Sequence, residues 1–249
     1  MAFADTILSD TNATIVMVDR YARPGGHWTI AYPYVRLHQP SAFYGVNSRP
    51  LGENRIDQVG WNKGLSELAT VDEVCAYYSM VMHQTFLPSG RVTYYPKHEY
   101  TGDGSWRSII TGKSFRVAQN TIIVDATYMK VRVPAMGPPA YSVAAGVSLV
   151  APNHLPKITR PYEAYTVVGA GKTGVDACLW MLAQGVDPQR ISWIVPRDPW
   201  FIERGSLQPG PLCEEHSSKC SCGKRRDHVR LVAARPVPPY GVCVAVVAN

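Results

Sequence analysis

The most constraining feature of the sequence is a glycine-rich turn between a predicted strand and a predicted helix. Residues 165–168 form a short apolar run, and three glycines follow it in the spacing G-x-G-x-x-G. Apolar side chains then recur at helical spacing, at Val175, Cys178, Leu179 and Leu182. A second apolar run at 191–195 predicts another buried strand. This order of strand, glycine turn, helix and strand is typical of a dinucleotide-binding βαβ unit, which we expect over residues 151–208.

Each glycine of the turn has its own physical task. Gly169 allows the tight turn, Gly171 lets the backbone approach a pyrophosphate, and Gly174 lets the helix pack on the strand. The free N–H groups and the positive end of the helix dipole then face the phosphates. Lys172 lies inside the turn, where it can reach a phosphate or lie at the surface. The candidate nucleotide-binding residues of this turn are Gly169, Gly171, Lys172, Thr173 and Gly174.

The residue after the second strand predicts which nucleotide binds. An acidic residue there would bind a ribose 2′-hydroxyl, whereas an arginine would pair with a 2′-phosphate. The sequence at this point is Pro196-Arg197-Asp198, with the arginine first. We therefore expect NADPH rather than NADH, with Arg197 as the selecting residue. The alternative is that Arg197 is a solvated loop residue.

The N-terminal stretch predicts half of a second nucleotide-binding unit. Residues 2–10 have the spacing of the last turns of a helix, and the apolar run 15–19 predicts a buried parallel strand that ends at Asp19. In a dinucleotide-binding unit this acid follows the glycine turn by about 20 residues. Counting back from Asp19 places that turn at or before Met1, so the first unit is expected to be incomplete.

The region between these units changes character along the chain. Residues 23–28 and 35–52 are rich in Gly, Pro and aromatic residues and predict loops, whereas 71–87 predict a helix. Short β-type runs then occupy residues 92–127, with a hairpin turn at 111–113 and a last buried strand at 121–127. The predicted fold is α/β, with two dinucleotide-binding Rossmann-like units, the first incomplete, and an antiparallel β insert at 92–127.

Four motifs in this order resemble a known family. Asp19, RPGGHW at 23–28, IIVDATYMKVRVP at 122–134 and VVGAGKTG at 167–174 look like the flavin-containing and Baeyer–Villiger monooxygenases and their FAD/NAD(P)-binding relatives. The resemblance covers about residues 1–208. It implies a partial FAD-binding domain over 1–150 and an NADP-binding Rossmann unit over 151–208.

The resemblance also implies roles for individual residues. Asp19 would bind the FAD ribose, and Gly25, Gly26 and Trp28 would line the FAD. Thr127 would lie where the chain crosses back near the FAD, although Tyr128 stands where the family usually has glycine. The turn at 169–174 would hold NADPH. No catalytic acid or base is assigned.

The implied activity is an FAD- and NADPH-dependent oxidoreductase of the monooxygenase type. NADPH would reduce the flavin, and reduced flavin with O₂ would oxygenate a small substrate. The alternative is a non-catalytic nucleotide-binding fragment. A disulfide reductase of similar plan needs a C-x-x-C or C-x₄-C pair, which none of the six cysteines forms.

Residues 209–249 depart from the family pattern and predict a poorly packed Cys- and Pro-rich tail. Together with the absent first glycine turn, this predicts a chain truncated at both ends. A metal site is a less favoured interpretation of the tail, because the C-x-C spacing departs from the usual pairs. Its ligands would be Cys213, His216, Cys220, Cys222 and His228.

Charge and hydropathy exclude some other classes of protein. The formal net charge is +6, and the tail, with six basic and three acidic residues, supplies +3 of it. The remainder is only mildly basic, which suits a protein that holds anionic cofactors rather than nucleic acid. The sequence has no apolar run of transmembrane length and no signal peptide. We therefore expect a cytoplasmic protein that acts on a small molecule and binds neither membrane nor nucleic acid.

Overall fold

The computed structural model describes residues 1–118, 120–127, 137–139, 141–196 and 202–210, and the backbone of 243–247. The fold is mixed α/β with small parallel and antiparallel sheets. In these residues, no helix combines the length and apolar character needed to span a membrane. The chain forms two compact units, and in the described residues the first comprises 1–31, 36–127 and 204–210. The second comprises 32–35, the described residues between 137 and 203, and the strand at 243–247.

The first unit contains helices α1 and α2 and strands β1 to β7. The helices are α1 (Ala2–Asp10) and α2 (Val71–Val81). The strands are β1 (Ile15–Asp19), β2 (Gly45–Val46), β3 (Arg49–Pro50), β4 (Val92–Pro96), β5 (His98–Gly102), β6 (Ser105–Ser108) and β7 (Ser114–Arg116).

The second unit contains helix α3 and strands β8 to β11. The helix is α3 (Lys172–Ala183), and the strands are β8 (Ser148–Val150), β9 (Ala164–Val168), β10 (Ile191–Ile194) and β11 (Cys243–Val247). All four strands form one sheet in the order β10-β9-β11-β8, and every neighbouring pair is parallel.

The core of the first unit forms around α2 and the β1–β4 pair. Thr70 and Glu73 form a capping box at the start of α2, which satisfies two N–H groups of the helix end. The helix continues into a π-helical turn, Met82–Phe86, where both end residues are fully buried. β1 runs parallel to β4, with Ile15 opposite Val92, and Ile15 and Met17 pack against this core.

The predicted antiparallel insert is partly wrong. The antiparallel sheet contains β5, β6 and β7, with the predicted hairpin turn at 111–113. β4 lies outside it, because this strand pairs in parallel with β1. β5 was not predicted, since its sequence, HEYTG, is polar and has no apolar alternation.

The predicted buried strand at 121–127 is also wrong. These residues form neither helix nor strand, and Ile122 is 87% exposed. An apolar run becomes a buried strand only where a neighbour accepts and donates its backbone hydrogen bonds. The described residues provide no such neighbour for this segment.

The predicted tail contains one strand, β11, which we did not predict from the sequence. β11 lies between β9 and β8, with Val244 opposite Tyr165 and Ser148. Its sequence, CVAVV, is a short apolar run of the kind found in fully buried parallel strands. The expectation of a poorly packed tail over 209–249 is therefore wrong for these five residues. Residues 211–242 lie outside the described residues.

Candidate functional site

The G-x-G-x-x-G turn joins β9 to α3 in the second unit, as the sequence predicts. β9 ends at Val168, and Gly169 follows with a φ of 123°, a conformation that L side chains rarely adopt. The Gly169 N–H donates to Ile194 O at 3.0 Å. The indole N–H of Trp193 donates to Gly169 O at 2.7 Å. The N–H and the C=O of Gly169 thus both form hydrogen bonds to residues of β10, and these bonds fix the start of the turn.

The second half of the turn forms the amino end of α3. Gly171 is the N-cap residue, and no side chain caps this helix end. Gly171 O accepts from Gly174 N at 2.9 Å and from Val175 N at 3.3 Å, and Gly174 is buried. A helix amino end without a side-chain cap, preceded by a residue without a side chain, leaves room for phosphate oxygens to accept from the backbone. The residues present therefore fit a dinucleotide pyrophosphate.

Lys172 is held beside the turn by an ion pair within α3. Its ammonium group contacts Asp176 Oδ2 and lies 5.7 Å from the centre of the Tyr32 ring. The Tyr32 hydroxyl donates to the same Asp176 oxygen at 2.8 Å, and the Thr173 side chain also hydrogen-bonds Tyr32. Burial, followed by the nearby Asp176 carboxylate, raises the pKa of Tyr32 above its usual value. Lys172 is thus placed on the side of the helix as part of this cluster.

Two tyrosines from a remote part of the chain cover one side of α3. The ring centres of Tyr32 and Tyr34 are 4.8 Å apart, and that of Tyr34 is 5.3 Å from Trp180. The Tyr34 hydroxyl donates to Pro152 O at 3.2 Å. Sequence reasoning missed both tyrosines. No local sequence pattern predicts such a long-range contact, because Tyr32 and Asp176 are 144 positions apart.

Asp19 lies at the end of β1, in the first unit, where the sequence places it. Asp19 Oδ1 accepts from Tyr21 N at 2.9 Å, and Oδ2 accepts from the Tyr94 hydroxyl at 3.2 Å. Burial, and then the Asp19 charge, raises the pKa of Tyr94. The carboxylate is only half-buried, so its remaining acceptor positions can take a ribose hydroxyl.

The glycine pair that follows is required by backbone conformation. Gly25 has a φ of 129° and Gly26 a φ of 55°. A Cβ on Gly25 would lie 3.2 Å from Thr29 Cγ2, whereas one on Gly26 would meet no atom within 4 Å. Trp28 lies in the next turn and packs against the core of the first unit. The open space beside Gly26 is compatible with a bound cofactor, and Trp28 contributes packing.

No described contact joins Thr127 to the other residues that are predicted to bind FAD. Its N–H donates to Asp125 Oδ1 at 2.8 Å, and its hydroxyl donates to the same oxygen. Both residues are exposed. Asp125 and Thr127 thus form a local turn, and their predicted role near FAD stays a prediction.

Several other predicted residues lie outside the described part of the chain. These are Arg197, Tyr128 and the tail residues Cys213, His216, Cys220, Cys222 and His228. Among the described residues, no group of three or more His, Cys, Asp or Glu side chains is arranged to hold a metal ion.

Comparison with known proteins finds mycobacterial relatives. The chain is similar to the uncharacterized proteins Mb2023 of Mycobacterium bovis and MT2056 and Rv2000 of Mycobacterium tuberculosis. It is 58% identical to each over 212 residues, which are 85% of this chain and 39% of the relative. The chain therefore spans about two-fifths of the length of these relatives. No family model matches the chain, and no solved structure matches it.

Proposed function

We propose that this chain is the nucleotide-binding part of an FAD- and NADPH-dependent oxidoreductase of the monooxygenase type. Its fold would then contain two dinucleotide-binding Rossmann-like units. The second would be built on β9, α3 and β10, and the first would be represented by the parallel β1–β4 pair that ends at Asp19. The expected substrate is a small molecule, and we expect neither nucleic acid nor a membrane as a partner.

The observation that carries the proposal is the placement of the glycine turn. Gly169, Gly171 and Gly174 lie between two parallel, directly paired strands, and α3 begins within the turn. A G-x-G-x-x-G sequence alone is a weak signal, but strand, turn, helix and parallel strand together supply the context that the motif requires. NADPH would accordingly lie with its pyrophosphate at the amino end of α3.

The residues of each unit have separate tasks in this proposal. In the second unit, Gly171 allows close backbone approach, and Arg197 pairs with the 2′-phosphate of NADPH. In the first unit, Asp19 binds the FAD ribose, and the space beside Gly26 admits the cofactor. Bound together, the cofactors supply hydride transfer and oxygen chemistry. The protein places them and excludes water.

Nucleotide titration tests this assignment. We expect NADPH to bind the 249-residue chain more tightly than NADH, measured by nicotinamide fluorescence. Arg197→Ala should weaken NADPH binding by about 1.5–3 kcal/mol, the contribution of a charged hydrogen bond, and leave NADH binding almost unchanged. Equal losses for both nucleotides would reject the role of Arg197. Absence of binding of either nucleotide would reject the proposal.

A non-catalytic nucleotide-binding protein is the second candidate. It is favoured by one observation: among the described residues, the G-x-G-x-x-G turn at 169–174 is the only one. The visible spectrum separates the two candidates, since bound flavin absorbs near roughly 450 nm. The second candidate predicts that the 249-residue chain purifies without flavin colour. A yellow protein with stoichiometric FAD would support the oxidoreductase and exclude this second candidate.

A further inference from the structure

A pocket of about 530 Å³ lies within the second unit, at the carboxyl end of α3. Its accessible apolar wall is formed by half-buried side chains that pack over the buried Leu155, Tyr165 and Met181; these are Ile158, Tyr162, Trp180 and Val186. Trp180, from the last turns of α3, adds a large ring that is only half-buried. The volume falls within the range of roughly 300–1,000 Å³ that is typical of small-molecule sites.

This pocket is separate from the glycine turn. α3 has 12 residues and is therefore about 18 Å long at 1.5 Å per residue, with the glycine turn at its other end. Tyr165 lies at the start of β9, whereas Gly169 follows its end. The pocket thus opens near the amino end of β9, whereas a Rossmann nucleotide binds at the carboxyl ends of the strands. The proposed NADPH site does not account for it.

The charged groups of the pocket favour an anion. Arg160 and Arg190 both line it, and both are exposed. The Arg160 guanidinium lies 5.3 Å from the centre of the Tyr162 ring. Neither arginine forms an ion pair with an acidic group in the described part of the chain.

The acidic residue of the pocket wall already has a structural task. Asp187 caps the short turn Pro188–Arg190, and its carboxylate accepts from Gln189 N at 2.9 Å. The rim of the pocket carries two arginines and one carboxylate, Asp187, which is already hydrogen-bonded. Its net charge is therefore positive, and it lies above the aromatic and aliphatic wall. An anionic group attached to an apolar body complements both features.

We propose that this pocket is a binding site for a small organic anion with an aromatic body. The anionic group pairs with Arg160 and Arg190, and the aromatic body lies against Trp180 and the apolar wall. The ligand belongs to the class of aromatic carboxylates, sulfonates or phosphates. This site stands independently of the proposed NADPH site, because the two share no lining residue.

Two fluorescent probes with the same aromatic body test the proposal. One is 1-anilinonaphthalene-8-sulfonate, and the other is the uncharged N-phenyl-1-naphthylamine. Titrated into the full chain, the sulfonate should bind about tenfold or more tightly than the neutral probe, because only the sulfonate can form charged hydrogen bonds to arginine. Equal binding of the two probes would overturn the proposal.

Matched single-charge variants then locate the binding. Arg160→Gln and Arg190→Gln should each weaken sulfonate binding severalfold and leave the neutral probe unaffected. Lys157→Gln is the control, since Lys157 is an exposed cation nearby that does not line the pocket. If Lys157→Gln weakened sulfonate binding as much as the arginine variants, the attraction would be general and the proposal wrong. Displacement of the sulfonate by saturating NADPH would likewise contradict a separate site.

Discussion

The Tyr32 hydroxyl donates a hydrogen bond of 2.8 Å to Asp176 Oδ2, the carboxylate oxygen that also pairs with Lys172. This bond fixes the 32–35 segment on the first half of α3, next to the glycine turn. Asp176 therefore receives both a neutral and a cationic donor, and its side chain is mostly buried. A charged acceptor in such surroundings makes the hydrogen bond stronger than an ordinary one.

Removing the Tyr32 hydroxyl should measurably destabilise the protein. We expect Tyr32→Phe to lower the free energy of unfolding by about 1.5–3 kcal/mol, since the lost bond has a charged acceptor. Tyr34→Phe is the matched control, because the Tyr34 hydroxyl donates to a neutral carbonyl, Pro152 O, at 3.2 Å. Its cost should be about 0.5–1.5 kcal/mol. Urea denaturation of both variants makes the comparison, and equal costs would contradict the charged character of the Tyr32 bond.

Gly45 should be far less tolerant of a side chain than Gly60. A Cβ on Gly45 would lie 2.8 Å from the Tyr77 hydroxyl and 2.9 Å from Leu51 N, at a φ of 110°. Tyr77 cannot easily yield, because its hydroxyl accepts from Val46 N at 2.6 Å and donates to Arg49 O. At Gly60, which has a φ of 74°, a Cβ would meet no atom within 4 Å.

The two alanine variants separate strain from overpacking. Gly60→Ala carries only the cost of a positive φ, about 1–2 kcal/mol. Gly45→Ala adds overpacking of about 1–3 kcal/mol. We expect the urea midpoint of Gly45→Ala to be clearly the lower of the two. Similar midpoints would show that the Tyr77 contact relaxes at little cost.

The Cys178 thiol should react slowly in the folded protein. Burial raises the pKa of this thiol from 9.0 to about 11. Because the thiolate is the reactive form, alkylation by iodoacetamide at pH 8 should be about a hundredfold slower than in the urea-unfolded chain. Mass spectrometry of the peptide containing Cys178 distinguishes it from the other cysteines. A midpoint of the rate near pH 9 in the folded protein would contradict the predicted shift.

The raised pKa of the Cys178 thiol also determines whether the free energy of unfolding rises or falls with pH. Between pH 9 and about 11 the unfolded chain loses the Cys178 proton while the folded chain keeps it. The unfolded state then binds fewer protons, so the free energy of unfolding falls as pH rises. Cys178→Ala should remove this part of the decrease, which urea titrations at a series of pH values would measure.

Local sequence patterns predicted the helices and strands that are specified by residues close together in the chain. The helical spacing and glycine punctuation around α3 predicted the helix between two strands, and the apolar run ending at Asp19 predicted β1 with its observed bounds. The run at 121–127 has an equally strong local signal but no described partner strand, and it remains exposed. Strand formation depends on a neighbour elsewhere in the chain, which single-sequence patterns do not reveal.

The candidate site, too, was predictable only where its residues follow a local sequence pattern. The glycines of the turn were identified because their spacing follows from phosphate approach and helix packing. The Tyr32–Asp176 bond was not, since it joins residues 144 positions apart, and the ion pair that holds Lys172 was not predicted either. β11 had a visible apolar run, CVAVV, but its place between β9 and β8 depends on pairing across the chain.

Calorimetric titration of NADPH into the wild-type chain and into Gly171→Val tests the central claim most directly. Gly171 has a φ of −74° and a ψ of 175°, a backbone conformation that any residue adopts, and a valine there would obstruct the approach of the pyrophosphate. Gln184→Ala, at the other end of α3, is the control. We predict that wild type and the control bind NADPH alike and that Gly171→Val, with an unchanged circular dichroism spectrum, loses binding by about a hundredfold, or roughly 2.8 kcal/mol. Equal binding by wild type and Gly171→Val, or no binding by wild type, would contradict the account.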